Sequence, residues 1–243
     1  MKKIIFLTIL AFSLFGCSGS NDSTNDIDKA GGTRNDEETP LGDYDVYQYF
    51  IQEYIVPSKV EIKAGPGGLY LDVSGESLYT TMKDHPTFER AKELAEFYGD
   101  TSFNRENSPF ANSPLAYPID KITISCDADF DAEHPAGKPL DDVVQLEFMT
   151  FYEYINNGYE LPADIPSGNR YGNDKVIHLL NFEDINAEVA TLVNLLPFSV
   201  QWINVTPLIH FASKPETLGE YNFVLEMTTN GKTLKTTFTH TFE

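Results

Sequence analysis

Basic side chains are scarce, with 17 Lys and Arg against 37 Asp and Glu and a formal net charge of -20. Binding a phosphate backbone needs cations in excess to displace condensed counterions, so the composition argues against nucleic acid as a partner. It argues equally against adhesion to anionic lipid by charge alone. Cysteine is scarcer still, at positions 17 and 126 only, and two thiols build no disulfide framework. There is one Trp, Trp202, which counts against a strong sugar-stacking platform. The N-terminal apolar run, Ile4 to Phe15, holds twelve residues. A membrane-spanning helix needs about 20, so this run does not read as a permanent span. Catalytic signatures are also missing: His85, His134, His178, His210 and His240 are scattered, none lies in His-Glu-x-x-His, and no Gly-x-Ser-x-Gly elbow occurs.

What the chain does have is aromatic area. Seventeen Phe and 13 Tyr within 41% hydrophobic residues supply a core, so this is a folded acidic chain and not a disordered one. The first residues carry an address. Lys2 and Lys3 form a positive start, the apolar run follows, and Leu14-Phe15-Gly16-Cys17 resembles a bacterial lipobox, in which a small residue precedes an acylated cysteine. Residues 1–16 are therefore expected to be a lipoprotein signal peptide and Cys17 the lipidated residue, the protein's link to the membrane. One acyl chain binds a bilayer marginally, and two or three on Cys17 would hold firmly.

Residues 17–43 are rich in Ser, Asn, Asp, Gly and Thr, with Ile27, Ala30 and Leu41 among few apolar side chains, and read as a flexible acidic tether. Asp22-Ser23-Thr24 resembles a short O-glycosylation acceptor, and Arg34 is a solitary basic residue open to proteolysis. Residues 44–118 form a β-rich N-terminal region with one helix. Strands are expected over 44–56, 58–63 and 69–73, with Pro57 separating the first two and Ala64-Gly65-Pro66-Gly67-Gly68 a turn whose spacing fits neither a dinucleotide fingerprint nor a P-loop. Asp84-His85-Pro86 opens a helix with a stripe of Phe88, Ala91, Leu94, Ala95 and Tyr98, stopped by Gly99.

From residue 119 short strands dominate: 119–126, 143–152, 175–180, 198–205, 208–212, 220–229 and 232–242, with a crossover helix over 181–196. Asn230-Gly231 tolerates positive φ at both centres and marks a two-residue hairpin. About seven strands with a single helical connection point to a mainly β fold. The expected class is an immunoglobulin-like antiparallel β-sandwich over 119–243, with a β/helix N-terminal extension and one or two α-helices. It would lack the Cys-Trp-Cys hallmark. Cys126 shares an alternating face with Ile122 and Ile124 and reads as a small buried hydrophobe.

Asp127, Asp129, Asp131 and Glu133 place carboxylates at alternate positions, with Asp141 and Asp142 after the Lys138-Pro139 turn. Two readings stand. Hard oxygen ligands converging in a loop suit Ca²⁺, although the EF-hand pattern fails; alternatively the segment is a solvated acidic loop. The lipobox, the acidic tether, the stretch from Ile122 through Asp127-Ala128-Asp129-Phe130-Asp131 to Gly137 and the closing hairpin together resemble small cell-envelope lipoproteins of Bacteroidota type. That resemblance implies a β-rich protein of the bacterial cell envelope, lipid-anchored at the outer membrane, and supplies no catalytic residues.

Three classes of function are compatible with these features. The first is a non-catalytic binding or accessory module for a glycan or protein ligand, with Tyr44, Tyr47, Tyr49, Tyr152, Tyr154 and Tyr159 either forming an exposed aromatic shelf or packing the core. The second is a fimbrillin-like structural or adhesion subunit that uses its β edges. The third is an envelope hydrolase whose site is assembled from distant residues. The missing catalytic motifs favour the first.

Overall fold

Alternation of apolar and polar residues is realised most fully at the C-terminus, where Gly219–Thr229 and Lys232–Phe242 pair in register from Gly219 and Phe242 down to Thr229 and Lys232. The turn between them has φ of 48° at Asn230 and 69° at Gly231, the double positive φ that a tight hairpin of this twist requires. A computed structural model describes residues 46–106, 113–187 and 207–243, all within one compact unit, Asp43–Glu243. The expected signal peptide, Cys17, the tether, Tyr44, the strand at 198–205 and Trp202 lie outside the described residues.

In chain order the strands are β1 (Val46–Tyr47), β2 (Glu53–Gly65), β3 (Gly68–Tyr79), β4 (Arg105–Glu106), β5 (Ile119–Cys126), β6 (Val144–Thr150), β7 (Arg170–Tyr171), β8 (Lys175–Asn181), β9 (Leu208–Phe211) and the terminal pair, β10 and β11. The helices are α1 (Phe88–Phe97), α2 (Tyr152–Asn156) and α3 (Phe182–Ala187). The protein is mainly β, with antiparallel sheets and few helices. One sheet has the order β11-β10-β5 and another β2-β3-β9-β6-β8-β7, while β1 and β4 form a short separate pair.

The two larger sheets share one core. Val60, Leu71 and Val73 from the β2–β3 hairpin, Leu146 and Phe148 from β6 and Ile209 from β9 meet Ile122 and Ile124 from β5 and Phe223, Leu225 and Met227 from β10. Both stretches read from the sequence, 44–118 and 119–243, thus contribute strands to this core. The hairpin from the first region pairs through Leu69 and Ile209 with the second, because its Val60 and Ile62 face needs the other sheet to leave water. Cys126 is buried in the same core and its Sγ lies 3.0 Å from the Ala128 carbonyl oxygen.

Pro57 does not divide two strands as expected. β2 runs through it with a register shift between Pro57 and Lys59, and since β2 is an edge of its sheet, a missing N–H at a bulge is tolerated. Opposite stands Gly75, where a side-chain carbon would lie 1.7 Å from the Val56 carbonyl oxygen, so the close approach demands glycine. The strand expected over 143–152 ends at Thr150 and turns into α2. Thr150 Oγ1 donates to Glu153 Oε2 at 2.7 Å, a bond between residues three apart that extended backbone would pull apart. The helix expected over 181–196 is described only as α3, its remainder lying outside the described residues. Its Asn186 side chain accepts from Ile122 N at 2.7 Å and donates to Ile122 O at 2.8 Å, occupying the outer edge of β5 as a strand would.

A second cluster lies under α1. Ala91, Ala95 and Tyr98 on one helical face meet Tyr49, Phe50, Ile51, Tyr54, Leu78, Phe103, Phe151, Ile155 and Tyr159. The helix begins at Phe88, later than expected, because Thr87 Oγ1 accepts from Tyr79 N and contacts His85 Nδ1 instead of capping the helix. It ends at Phe97, and Gly99 two residues on, with φ of 76°, reverses the chain as expected.

Candidate functional site

Where the chain leaves β1, passes residues 48–52 and enters β2, it is held by a buried carboxylate. Asp100 has no solvent exposure, accepts from Phe50 N at 2.9 Å and Ile51 N at 2.8 Å, and takes the Tyr159 hydroxyl at 2.9 Å. Burial pushes its carboxyl above the ordinary value, and the three donors oppose that shift. On the other side Thr80 donates its hydroxyl to Ile51 O at 2.5 Å and its N–H to Gln52 O at 3.0 Å. The segment is thus pinned through both its N–H and its C=O groups. Phe50 completes the hold, edge-on to Phe103 and Phe151 with ring centroids 5.3 and 5.0 Å away.

Gln48 and Tyr49, next to the clamped residues 50–52, form one wall of a cleft of about 270 Å³, lined also by Tyr47, Thr80, Thr81, Lys83 and Phe88. Tyr47 and Phe88 are half-buried, Tyr49 is buried, and Gln48, Thr81 and Lys83 are exposed. Lys83 is the one charged side chain in the lining. The Tyr49 hydroxyl is pushed up from its ordinary value, first by burial; Lys92 opposes this, and Glu96, Asp100 and Glu89 add to it. The cleft combines aromatic rings with neutral hydrogen-bonding groups on a fixed frame.

Of the two readings of the six tyrosines, shelf or core packing, the five described ones follow the second for the most part. Tyr49 and Tyr159 are buried, Tyr47 and Tyr154 pack against the aromatic cluster, Tyr152 is half-buried on α2, and Tyr44 lies outside the described residues. Two of them, Tyr47 and Tyr49, nevertheless reach the cleft. Asp100, Thr80 and Lys83 went unmarked in the sequence. The one local signal for Asp100 is its place directly after the helix-stopping Gly99, which does not disclose a bond to residues about fifty positions away.

The acidic segment is a looped chain rather than an extended strand, and its carboxylates diverge. Asp127 accepts from the backbone N–H and the side-chain amide of Asn222, Asp129 from Ala136 N, and Asp131 from the backbone N–H groups of Glu133 and His134, while Glu133 is exposed. Among the described residues no group of three or more His, Cys, Asp or Glu converges as a metal site would. The loop is anchored instead by Phe130, fully buried against Phe211, Tyr221 and Phe242, and by His134. His134 Nδ1 is 2.8 Å from Asp131 and Nε2 is 3.0 Å from Asp142. Burial opposes its charge, but the two carboxylates outweigh burial and raise its proton affinity.

Two other histidines meet acids. His210 Nε2 is 2.9 Å from Glu147, and His178 Nε2 faces both Glu153 Oε1 at 3.1 Å and Thr150 Oγ1 at 3.1 Å. A nucleophile relay needs the imidazole to bridge hydroxyl and carboxylate through its two nitrogens, and here one nitrogen meets both. No family model matches the chain, and no curated protein or solved structure is significantly similar to it.

Proposed function

We propose that this protein is a lipid-anchored lipoprotein of the bacterial cell envelope, at the outer membrane, acting as a non-catalytic binding or accessory module. The anchor rests on the short apolar run ending in Gly16-Cys17 and on the tether at 17–43. The folded part is read as an immunoglobulin-like sandwich. In that fold the seven strands are distributed as ABED and CFG. Taking β2, β3, β5, β6, β9, β10 and β11 as A to G, the orders β2-β3-β9-β6 and β11-β10-β5 reproduce that arrangement, with β8 and β7 added beyond D.

The observation that carries the binding role is the cleft at Tyr47, Lys83 and Phe88, whose wall is fixed by the Asp100 and Thr80 bonds. Preorganised walls lower the entropy cost of holding a ligand. The anchor is tested by fractionation. Cys17→Ala should move the protein from the membrane to the soluble fraction, and retention in the membrane would defeat the lipoprotein reading. The fimbrillin-like alternative rests on β11, an eleven-residue strand at the end of its sheet. It predicts concentration-dependent assembly in ultracentrifugation, where a binding module should stay monomeric.

A further inference from the structure

We infer that the cleft takes one neutral saccharide unit, a claim that rests on reading the protein as a binding module. Three features of the lining argue for a sugar. The half-buried rings of Tyr47 and Phe88 offer apolar area suited to the C–H face of a pyranose, while Gln48 and Thr81 at the exposed side offer donors and acceptors to its hydroxyls. Lys83 adds a donor without an acceptor. An amphipathic lining of this kind matches a ligand that is itself apolar on its faces and polar around its rim.

Size limits the ligand to a short unit. Small-molecule sites run from roughly 300 Å³ upward, and at about 270 Å³ the cleft sits just below that range. One ring fits; a long glycan would have to present its end. Charge then selects neutrality. Six of the seven lining residues are neutral, and the exposed Lys83 is the lining's one charge. A lone exposed cation is screened by solvent and contributes little to holding a carboxylate, so the neutral hydrogen-bonding groups set the preference.

The test is saturation-transfer NMR on the full chain with separate probes: glucose, galactose, mannose and N-acetylglucosamine as neutral sugars, glucuronic acid as an acidic one, and glycylglycine as a neutral non-sugar. At least one neutral sugar should receive saturation, with affinity falling roughly tenfold in Tyr47→Ala, the loss of one ring contact. Phe97→Ala should leave the signal unchanged, since Phe97 is an exposed ring outside the cleft lining. Thermal melting of each variant shows that it is folded. Glucuronic acid preferred over every neutral sugar, with binding lost in Lys83→Met, would overturn the neutral assignment while leaving the binding module standing. Glycylglycine binding lost in Tyr47→Ala, with no sugar bound, would overturn the saccharide class alone. No transfer to any probe, or sugar transfer that survives Tyr47→Ala, would overturn the inference outright.

Discussion

The core between the sheets and the cluster under α1 are both rich in fully buried side chains, yet they are held by different means. The first is mostly aliphatic and phenylalanine, and its strands need only alternate to fill it. The second brings together Tyr49, Tyr54, Tyr98 and Tyr159 with Asp100, so it buries polar atoms that call for directed bonds. Tyr98 donates to Ala116 O at 2.8 Å and Tyr159 to Asp100. Apolar burial is non-directional and tolerates small shifts, whereas a buried hydrogen-bonded network fixes one arrangement. The comparison teaches that the cleft stands beside the region whose arrangement is fixed by directed bonds.

The largest effect should come from the shared core. Phe223 is fully buried and stacks on Phe238 at 5.1 Å, so Phe223→Ala should lower unfolding free energy by about 3–5 kcal/mol in urea titration. A loss confined to the residues under α1 would break the distinction between the two regions.

A smaller effect of opposite sign sharpens it. Tyr54 is fully buried and its hydroxyl has no hydrogen-bond partner among the described residues. Burial holds its proton affinity well above the ordinary value. Removing an unsatisfied buried group recovers its desolvation cost, so Tyr54→Phe should raise stability by about 1 kcal/mol, read as a higher melting temperature. A destabilised variant would mean that the hydroxyl is paired.

The loop at 127–142 is tied to the sheet core by Phe130 and Leu140, but its titratable pairs should also make it respond to pH. His134 gains protons on folding, so its contribution is fully present below its unfolded value of about 6.5 and is lost as pH rises through the higher folded value. Asp131 works the other way. Burial opposes its charge, but the bonds from His134 and Glu133 win and lower its pKa, so its contribution is lost as pH falls through that lowered value. Melting temperature should therefore fall on the alkaline side of His134's titration, and His134→Gln should flatten that limb. The smallest expected effect is calcium at the same loop. With its carboxylates turned to different partners, calcium and magnesium should shift the melting temperature equally; a calcium-selective shift lost in Asp129→Asn with Asp131→Asn would restore the metal reading.

Much of the first region was legible in the sequence and little of the second. β11 and the Asn230-Gly231 turn follow from alternation and turn chemistry, and β5 matches its expected bounds. The apolar stripe of α1 was equally plain. Local pattern does not reveal which strands share a sheet, so the pairing of β3 with β9 was hidden. Nor does it show that Thr150 would bond Glu153 and bend a strand into α2. The site was least visible, since Asp100 and Phe50 meet only through the fold. Tyr47 and Tyr49 stand out as aromatic candidates in the sequence, whereas Thr80 and Lys83, which join them in the cleft, carry no local signal.

The central claim is that Asp100 fixes the cleft wall separately from the sheet core. It is tested most directly by amide hydrogen exchange in Asp100→Asn. Both carboxylate oxygens accept bonds, and an amide keeps only one acceptor, so at least one of the Phe50 and Ile51 N–H groups loses its partner. The account predicts that protection at Phe50 or Ile51 falls by about 1–3 kcal/mol, while Phe223 and Leu225 keep theirs. Equal losses at all four amides, or no loss at Phe50 and Ile51, would contradict it.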